Sequence, residues 1–168
     1  MHEISELKET DFSYISENLD SWWGGRNVAP MLPKLWFKDF SDTSFVIRGE
    51  NLKPIAFLVG YISQTDKTKA YVHFIGVDPE HRSEGLGKSL YEAFETKVLD
   101  LGANHIEAVT SPANTTSLRF HEAIGFMAKD TSGSLVLPTE ASGHKDFDGI
   151  GEDRVLLSKT IRAQYPTA

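Results

Sequence analysis

One stretch of the chain, from Tyr71 to Gly87, combines three local signals that constrain the fold strongly. An apolar run rich in β-branched residues ends at Asp78-Pro79, a short polar turn with two glycines follows, and a helical pattern then begins. Proline cannot donate a backbone hydrogen bond, and the residue before it avoids the helical region, so the strand has to end there. The stretch therefore predicts a strand, a tight loop and a helix in direct succession.

The loop of this unit, Arg82 to Gly87, predicts an anion-binding site at the start of the helix. The first turn of a helix presents backbone N–H groups that have no partner within the helix, and the helix dipole adds a partial positive charge there. Gly85 and Gly87 let the backbone approach a ligand without a Cβ in the way. A phosphate or pyrophosphate is the natural occupant, and Arg82 can add a charged contact.

Two common nucleotide-binding fingerprints do not fit this loop. Gly87-Lys88-Ser89 matches the end of the Walker pattern, but Arg82 stands where that pattern requires its first glycine. The Rossmann pattern requires a further glycine three residues after Gly87, and Leu90 stands there. On the loop alone, an ordinary tight turn between a strand and a helix is an equally good interpretation.

The rest of the chain alternates strand and helix patterns around this unit. Periodicity and turn residues predict strands at 4–7, 44–48, 54–63, 70–77, 105–110, 126–129 and 154–160, and helices at 10–19, from Pro33 onward, at 86–101 and at 114–124. Thr10 is the expected N-cap of the first helix and Asn114 that of the last. The strand at 54–63 is apolar on both faces, which indicates a central position. This order predicts a layered α/β or α+β sheet with helices on its faces.

Composition narrows the class of protein. The 168 residues include 24 acidic and 17 basic side chains, and the resulting charge of -7 disfavours sequence-independent binding to nucleic acid. Without cysteine, a disulfide scaffold, thiolate metal sites and a cysteine nucleophile are excluded. The chain offers no signal peptide and no apolar stretch long enough to span a membrane, so we expect a cytoplasmic protein without a membrane partner. The length predicts a single domain over 1–168.

Two motifs taken together resemble those of the GNAT superfamily of N-acetyltransferases. The first is Arg-x-x-Gly-x-Gly at 82–87, preceded by Gly76-Val77-Asp78-Pro79. The second runs from Asn114 to Phe126 and consists of an asparagine followed by a helical segment that ends in Gly-Phe. Both motifs stand in the family's order and on the expected elements, and the resemblance covers residues 54–130 best.

The resemblance implies a fold and a coenzyme site. The fold would be a mixed, mostly antiparallel sheet in which two central strands, here 71–77 and 105–110, splay apart in a V, with helices on both faces. Acetyl-CoA would lie in the opening as co-substrate, with its pantetheine arm along the first strand and its pyrophosphate on the loop amides. The residues implied to bind it are Ile75, Gly76, Val77, Arg82, Ser83, Glu84, Gly85, Leu86, Gly87, Lys88, Asn114 and Ser117.

Two histidines are candidates for moving protons. Direct attack of an amine on a thioester requires a neutral amine and a proton for the leaving thiol. His73, expected on the same strand face as Tyr71 and Ile75, is the candidate base, because an imidazole in an apolar strand needs a partner or a cavity. His121 stands where the family commonly has a tyrosine acid, and imidazole titrates near neutrality. For each, a buried histidine bonded to a neighbour is the alternative.

The resemblance assigns the acceptor site to the N-terminal helices and to the late hairpin loop, which here includes His144–Asp153 and is called the late loop below. Trp22, Trp23 and Arg26 offer apolar walls and a guanidinium for a carboxylate or phosphate. In the late loop, Asp148 is the candidate for binding an amine, and His144 is a further catalytic candidate if the loop folds over the site. No metal ion is expected, because Asp146-x-Asp148-Gly149 lacks the spacing of an EF-hand.

The sequence therefore predicts an acetyl-CoA-dependent N-acetyltransferase that acts on the amine of a small molecule. Two alternatives are a non-catalytic acyl-CoA-binding module that regulates a partner and an enzyme that acetylates proteins. The bulky Trp22-Trp23 pair and the long late loop favour a closed pocket over the open groove that a protein substrate needs. The resemblance also makes a homodimer a candidate assembly.

Overall fold

The structure is a computed structural model and describes residues 2–163. The strands are β1 (Ile4–Glu6), β2 (Phe45–Arg48), β3 (Pro54–Ile62), β4 (Lys69–Val77), β5 (His105–Thr110), β6 (Met127–Lys129), β7 (Leu135–Val136) and β8 (Val155–Thr160), and the helices are α1 (Phe12–Trp22), α2 (Leu35–Asp39), α3 (Leu86–Asp100) and α4 (Thr115–Ala123). The strands form one sheet in the order β1-β2-β3-β4-β5-β8-β6-β7. Only β4 and β5 are parallel neighbours among these described strands, so the sheet is mixed and mostly antiparallel, as predicted.

Helices cover both faces of the sheet, which confirms the predicted layers. One apolar cluster joins the sheet to α3 and to Leu118 of α4, and a second cluster joins the other face to α1 and to Phe37 of α2. β3 is buried from Pro54 to Gly60, in agreement with the central position predicted from its apolar faces. Within the described residues, no helix is both long and apolar enough to cross a membrane.

The two parallel strands pair over only part of their length. Residues Lys69–Tyr71 of β4 pair with His105–Glu107 of β5. Farther along, β4 stays paired with β3 while β5 stays paired with β8, so the two strands diverge. This is the predicted V-shaped splay. Among residues 2–163, nothing pairs in the ladder with the backbone of β4 at 72–77 on the side that faces β5.

β4 contains a β-bulge at His73. Phe74 pairs with Val59 of β3, and the next pair is Val72 with Gly60, so His73 is an extra residue in the ladder. A bulge of this kind redirects the side chains that follow it.

The bulge puts two successive side chains on the face that α1 and α2 cover. His73 stacks on Trp36, and Phe74 packs against Trp23. Ile75 then points to the opposite face and packs in the cluster formed with α3. The expectation that Ile75 shares a face with His73 is therefore wrong, because the extra residue shifts the alternation by one position.

The start of the first helix also differs from its prediction. A 3₁₀ turn over Glu9–Asp11 precedes α1, so Thr10 is not its N-cap. The buried carboxylate of Asp11 accepts the N–H of Lys8 at 2.9 Å and pairs with Arg48. These contacts of Asp11, rather than a cap by Thr10, hold the backbone at the start of α1. The two-residue strand β7 was absent from the prediction, since it is too short to give a periodic signal.

Candidate active site

The splay between β4 and β5 forms a cleft with a volume of about 1180 Å³. Its walls come from the loop after α1, from β4, from the end of β5, from the first turns of α4 and from the late loop. Of the residues predicted for the site, the cleft brings together Ile75, His73, His121, Asn114, Ser117, Trp23, Arg26 and Asp148. Residues predicted from four distant segments therefore line one cavity.

The remaining coenzyme candidates lie beyond one end of the cleft. Gly76, Val77 and the loop residues 82–88 are not part of the cleft wall, but β4 continues directly into this region. A Cβ added to Gly87 would lie 3.9 Å from Cδ1 of Ile75, so the start of α3 lies next to the last cleft residue of β4. Their role in binding coenzyme stays a prediction.

The loop before α3 has the backbone geometry of an anion site. Gly85 is the N-cap of α3 and is in the left-handed region, with φ 77°, which glycine adopts without strain. The N–H of Ser89 donates to the carbonyl of Gly85 at 3.1 Å. The amides of the preceding turn, Leu86 to Lys88, are those that a helix leaves without intrahelical partners. A bound anion can accept from them.

The two tryptophans predicted for the acceptor site have different environments. The side chain of Trp22 is 5% exposed and packs on Phe57 in the core, away from the cleft. Trp23 lines the cleft, with its ring centroid 4.9 Å from that of Phe74. Arg26 also lines the cleft and is an exposed residue. Of these three residues, only Trp23 and Arg26 can contact an acceptor with their side chains.

His73 is held as a neutral base. Its Nε2 lies 2.7 Å from the carbonyl oxygen of Met31, which can only accept, so Nε2 carries the proton and Nδ1 has the free lone pair. The ring stacks on Trp36 at 4.1 Å between centroids. Burial lowers the pKa of His73, while the Met31 carbonyl and the charge of Asp148 oppose this shift. The ring is therefore uncharged at neutral pH.

His121 is also neutral, but both of its ring nitrogens are occupied. Nδ1 lies 2.8 Å from the carbonyl oxygen of Ser117 and must donate to it, so Nε2 accepts from the hydroxyl of Tyr91 at 2.8 Å. Burial lowers the pKa of His121 to about 4, against the opposing effect of the Ser117 carbonyl. At neutral pH the ring is therefore not an imidazolium that can release a proton.

Tyr91 is a cleft residue that sequence reasoning did not identify. It lies on α3, is 1% exposed and still contributes to the cleft wall beside His121. Burial raises the pKa of Tyr91, so its hydroxyl stays protonated. In the sequence, Tyr91 falls on the buried stripe of α3 and looks like any other core residue. Its contact with His121, which is tertiary, is what marks it as a residue of the site.

The late loop brings carboxylates to the acceptor end of the cleft. Asp148 pairs with Arg154, with 2.9 Å between Oδ2 and Nε, and Arg154 also binds Glu152 at 2.9 Å. The charge of Asp148 acts on His73 and on Tyr71, whose pKa is raised to about 12, mainly by burial. Asp148 therefore lies near β4 across the cleft. Arg154 and Tyr71 are further cleft residues that the sequence did not single out.

His144 is directed away from the cleft. Its Nε2 is 2.8 Å from the carbonyl oxygen of Lys129, and its backbone pairs with that of Arg154. The cleft wall does not include it. Its geometry is that of a residue that anchors the late loop to the sheet.

The sequence profile of the Acetyltransferase (GNAT) family matches residues 3–126 of the chain. The chain therefore belongs to this family, as its two motifs predict. The match includes the loop before α3, the splayed strands and the whole of α4. It ends before the late loop that carries Asp148.

Individual relatives agree with this assignment. L-2,4-Diaminobutyric acid acetyltransferase of Streptomyces anulatus is 40% identical over 86 residues, which are 51% of this chain and 49% of that protein. The chain spans about half the length of the curated relatives of this name that it matches first.

Solved structures share the fold. Ard1 from Thermoplasma volcanium superimposes with a TM-score of 0.73 at 16% identity, over 96% of this chain and 99% of that one. Phosphinothricin acetyltransferase from Sinorhizobium meliloti, solved in complex with AcCoA, gives 0.69 at 18% identity, over 95% and 88%. At these identities the two structures establish the fold.

Proposed function

We propose that this protein transfers the acetyl group of acetyl-CoA to a primary amine of a small, amino-acid-like molecule. The observation that carries the proposal is the cleft at the strand splay, where a neutral imidazole and a carboxylate lie near each other at one end. Membership in the acetyltransferase family supports the acyl chemistry. The name of the Streptomyces relative supports a diamino acid as the acceptor class.

The chain has groups that fit the pantetheine arm and the pyrophosphate of acetyl-CoA. The free backbone edge of Ile75–Val77 would pair with the pantetheine arm, and the amides of 83–88 with Arg82 would bind the pyrophosphate. Asn114 caps α4 by accepting the N–H of Ser117 through Oδ1 at 3.1 Å, so its amide donor stays available to the coenzyme. Acetyl-CoA supplies the activated thioester when bound.

His73 is the base of the proposed reaction. Nδ1 of His73 takes a proton from the bound ammonium group, the neutral nitrogen then bonds to the acetyl carbon, the C–S bond breaks, and the nitrogen gives its second proton to water. A thiol with a pKa of about 8.5 can leave as thiolate and take a proton from water. His121 then has no acid role: as a neutral ring it orients the Tyr91 hydroxyl at the coenzyme side.

The acceptor is bound at both of its charged ends. The carboxylate of Asp148 attracts an ammonium group to the vicinity of His73, and the guanidinium of Arg26, an exposed residue, suits a carboxylate. Trp23 and Tyr71 provide flat apolar walls between them. A short amino acid with a second amino group has this distribution of charge.

A matched pair of acceptors tests the proposal. Release of free thiol from acetyl-CoA is measured with L-2,4-diaminobutyrate and with 2-aminobutyrate, which lacks the second amine, and mass spectrometry identifies the product. We expect turnover with the diamino acid and little with the monoamine. Coenzyme binding without turnover on any amine would favour a binding module. Acetylation of peptides in preference to free amino acids would favour a protein acetyltransferase.

We also propose that the enzyme acts in the cytoplasm and does not bind nucleic acid, which the net charge of -7 supports. A homodimer is the assembly that we propose on the family resemblance. Light scattering at several protein concentrations would measure the oligomeric state, and a mass that stays monomeric would contradict the dimer.

A further inference from the structure

The C-terminal end of α1 has carbonyl groups that need partners from outside the helix. The carbonyls of Leu19–Ser21 accept N–H groups from residues 23–25 of the turn that follows. The carbonyl of Trp22 accepts instead from a side chain, Nη2 of Arg82, at 2.6 Å. A residue 60 positions away in the sequence thus completes this helix end.

This contact is favourable on electrostatic grounds. The C-terminus of a helix carries a partial negative charge, and a cation that donates to its last carbonyl is stabilised there. Arg82 is also the first residue of the loop proposed to bind the pyrophosphate. Because a guanidinium has five N–H donors, it can keep this bond while another donor faces an anion.

The segment just after this helix end forms a wall of the acceptor site. Trp23 and Arg26 line the cleft. The same segment is tied at its other end by Asp20, whose Oδ1 accepts the N–H groups of Val28 and Ala29, each at 2.8 Å. The acceptor wall is thus anchored at one end by Asp20 and at the other by Arg82.

We infer that Arg82 is a positioning residue for the acceptor site, an inference that rests on the function proposed above. It connects the coenzyme loop to the end of α1 and thereby holds Trp23 and Arg26 in place. Coenzyme bound at the loop orders Arg82, and this order reaches the acceptor wall through the carbonyl of Trp22. By thermodynamic reciprocity, acceptor and coenzyme each strengthen the binding of the other.

The variant Arg82→Ala tests this role with two readouts. In the ligand-free protein, amide hydrogen exchange over residues 20–28 should become about five- to tenfold faster, because the helix end loses a partner. In the enzyme assay, the KM for L-2,4-diaminobutyrate at saturating acetyl-CoA should rise about tenfold, in addition to the rise in the KM for acetyl-CoA that the loss of a proposed pyrophosphate contact causes. Arg82→Lys, which keeps a cationic donor, should recover part of both effects.

Arg162→Ala is the control, since it removes the same charge from an exposed position outside the cleft, and it should change neither readout. A large rise in the KM for acetyl-CoA with an unchanged acceptor KM would overturn the inference and make Arg82 a pyrophosphate ligand only. Exchange over 20–28 that is unchanged in Arg82→Ala would also overturn it. That readout needs no turnover, so it remains decisive if the proposed reaction itself fails.

Discussion

Three neighbours set the tautomer, the orientation and the electrostatic environment of the His73 ring. The Met31 carbonyl fixes the tautomer, Trp36 holds the ring plane, and Asp148 adds a negative charge nearby. His73→Gln keeps a donor for the Met31 carbonyl but removes the base, so kcat/KM should fall by about 10² to 10⁴. Since burial lowers the pKa of His73, the wild-type rate should decline only below the ordinary pKa of 6.5 as the ring becomes protonated.

The pH profile of thiol release checks this prediction. The acidic decline that His73 causes should be missing in His73→Gln. His105→Gln, on β5 and outside the cleft wall, is the matched control and should retain it. A His73→Gln profile that is identical to wild type would remove His73 from the mechanism.

Protonation of His121 makes the free energy of unfolding depend on pH. Its pKa of about 4 in the folded protein lies below the ordinary value of 6.5, so between these values the unfolded chain binds more protons. Stability is therefore complete above pH 6.5 and decreases as the pH falls to about 4, by about 3 kcal/mol from this group.

Urea unfolding of His121→Gln at pH 7 and pH 4.5 measures this contribution. The variant should lose about 2 to 3 kcal/mol less than wild type over this interval, because it lacks the titrating ring. It should also keep most of its kcat, since the neutral ring is not the acid. An equal pH dependence in both proteins would contradict the burial of a neutral His121.

At the scale of elements, β4 packs closely at Gly76 against Trp23, the residue that follows α1. A Cβ added there would lie 2.7 Å from the ring of Phe57 and 3.0 Å from that of Trp23. Gly76→Ala should therefore displace Trp23 from the acceptor wall, raise the acceptor KM several-fold and destabilise the protein by about 1 to 3 kcal/mol.

Gly60→Ala is the control that separates the loss of stability from the displacement of Trp23. Its added Cβ would lie 2.5 Å from Phe94 on the opposite face of the sheet, so it should cost comparable stability but leave the acceptor KM unchanged. The two variants would be compared by thermal unfolding and by steady-state kinetics. Equal acceptor KM values in both would show that Trp23 does not form the wall.

The elements with a strong local signal could be predicted from the sequence. α3 follows its apolar stripe, and β3 and β5 follow their apolar runs, so their positions agree within a few residues. The bulge at His73 could not be predicted, because it depends on the register against β3, which joins residues distant in sequence. The partners of Trp22, His121 and Asp148 were missed for the same reason: each is a tertiary contact.

At the scale of the whole molecule, the candidate active site lies where the pairing between two neighbouring strands of the sheet is interrupted. β4 and β5 separate after Tyr71, and the free edge of β4 leads toward the loop before α3. Side chains from the loop after α1, from α4 and from the late loop face this opening from both sides of the sheet. Our central claim is that acetyl-CoA occupies it and pairs with the backbone of β4 as an added strand does.

Amide hydrogen exchange with and without acetyl-CoA tests this claim most directly. We predict that the coenzyme slows exchange in two places, at those amides within 72–77 of β4 that face β5 and in the loop over 83–88, with no change in β2. Protection confined to other parts of the protein, or none at saturating acetyl-CoA, would contradict the claim.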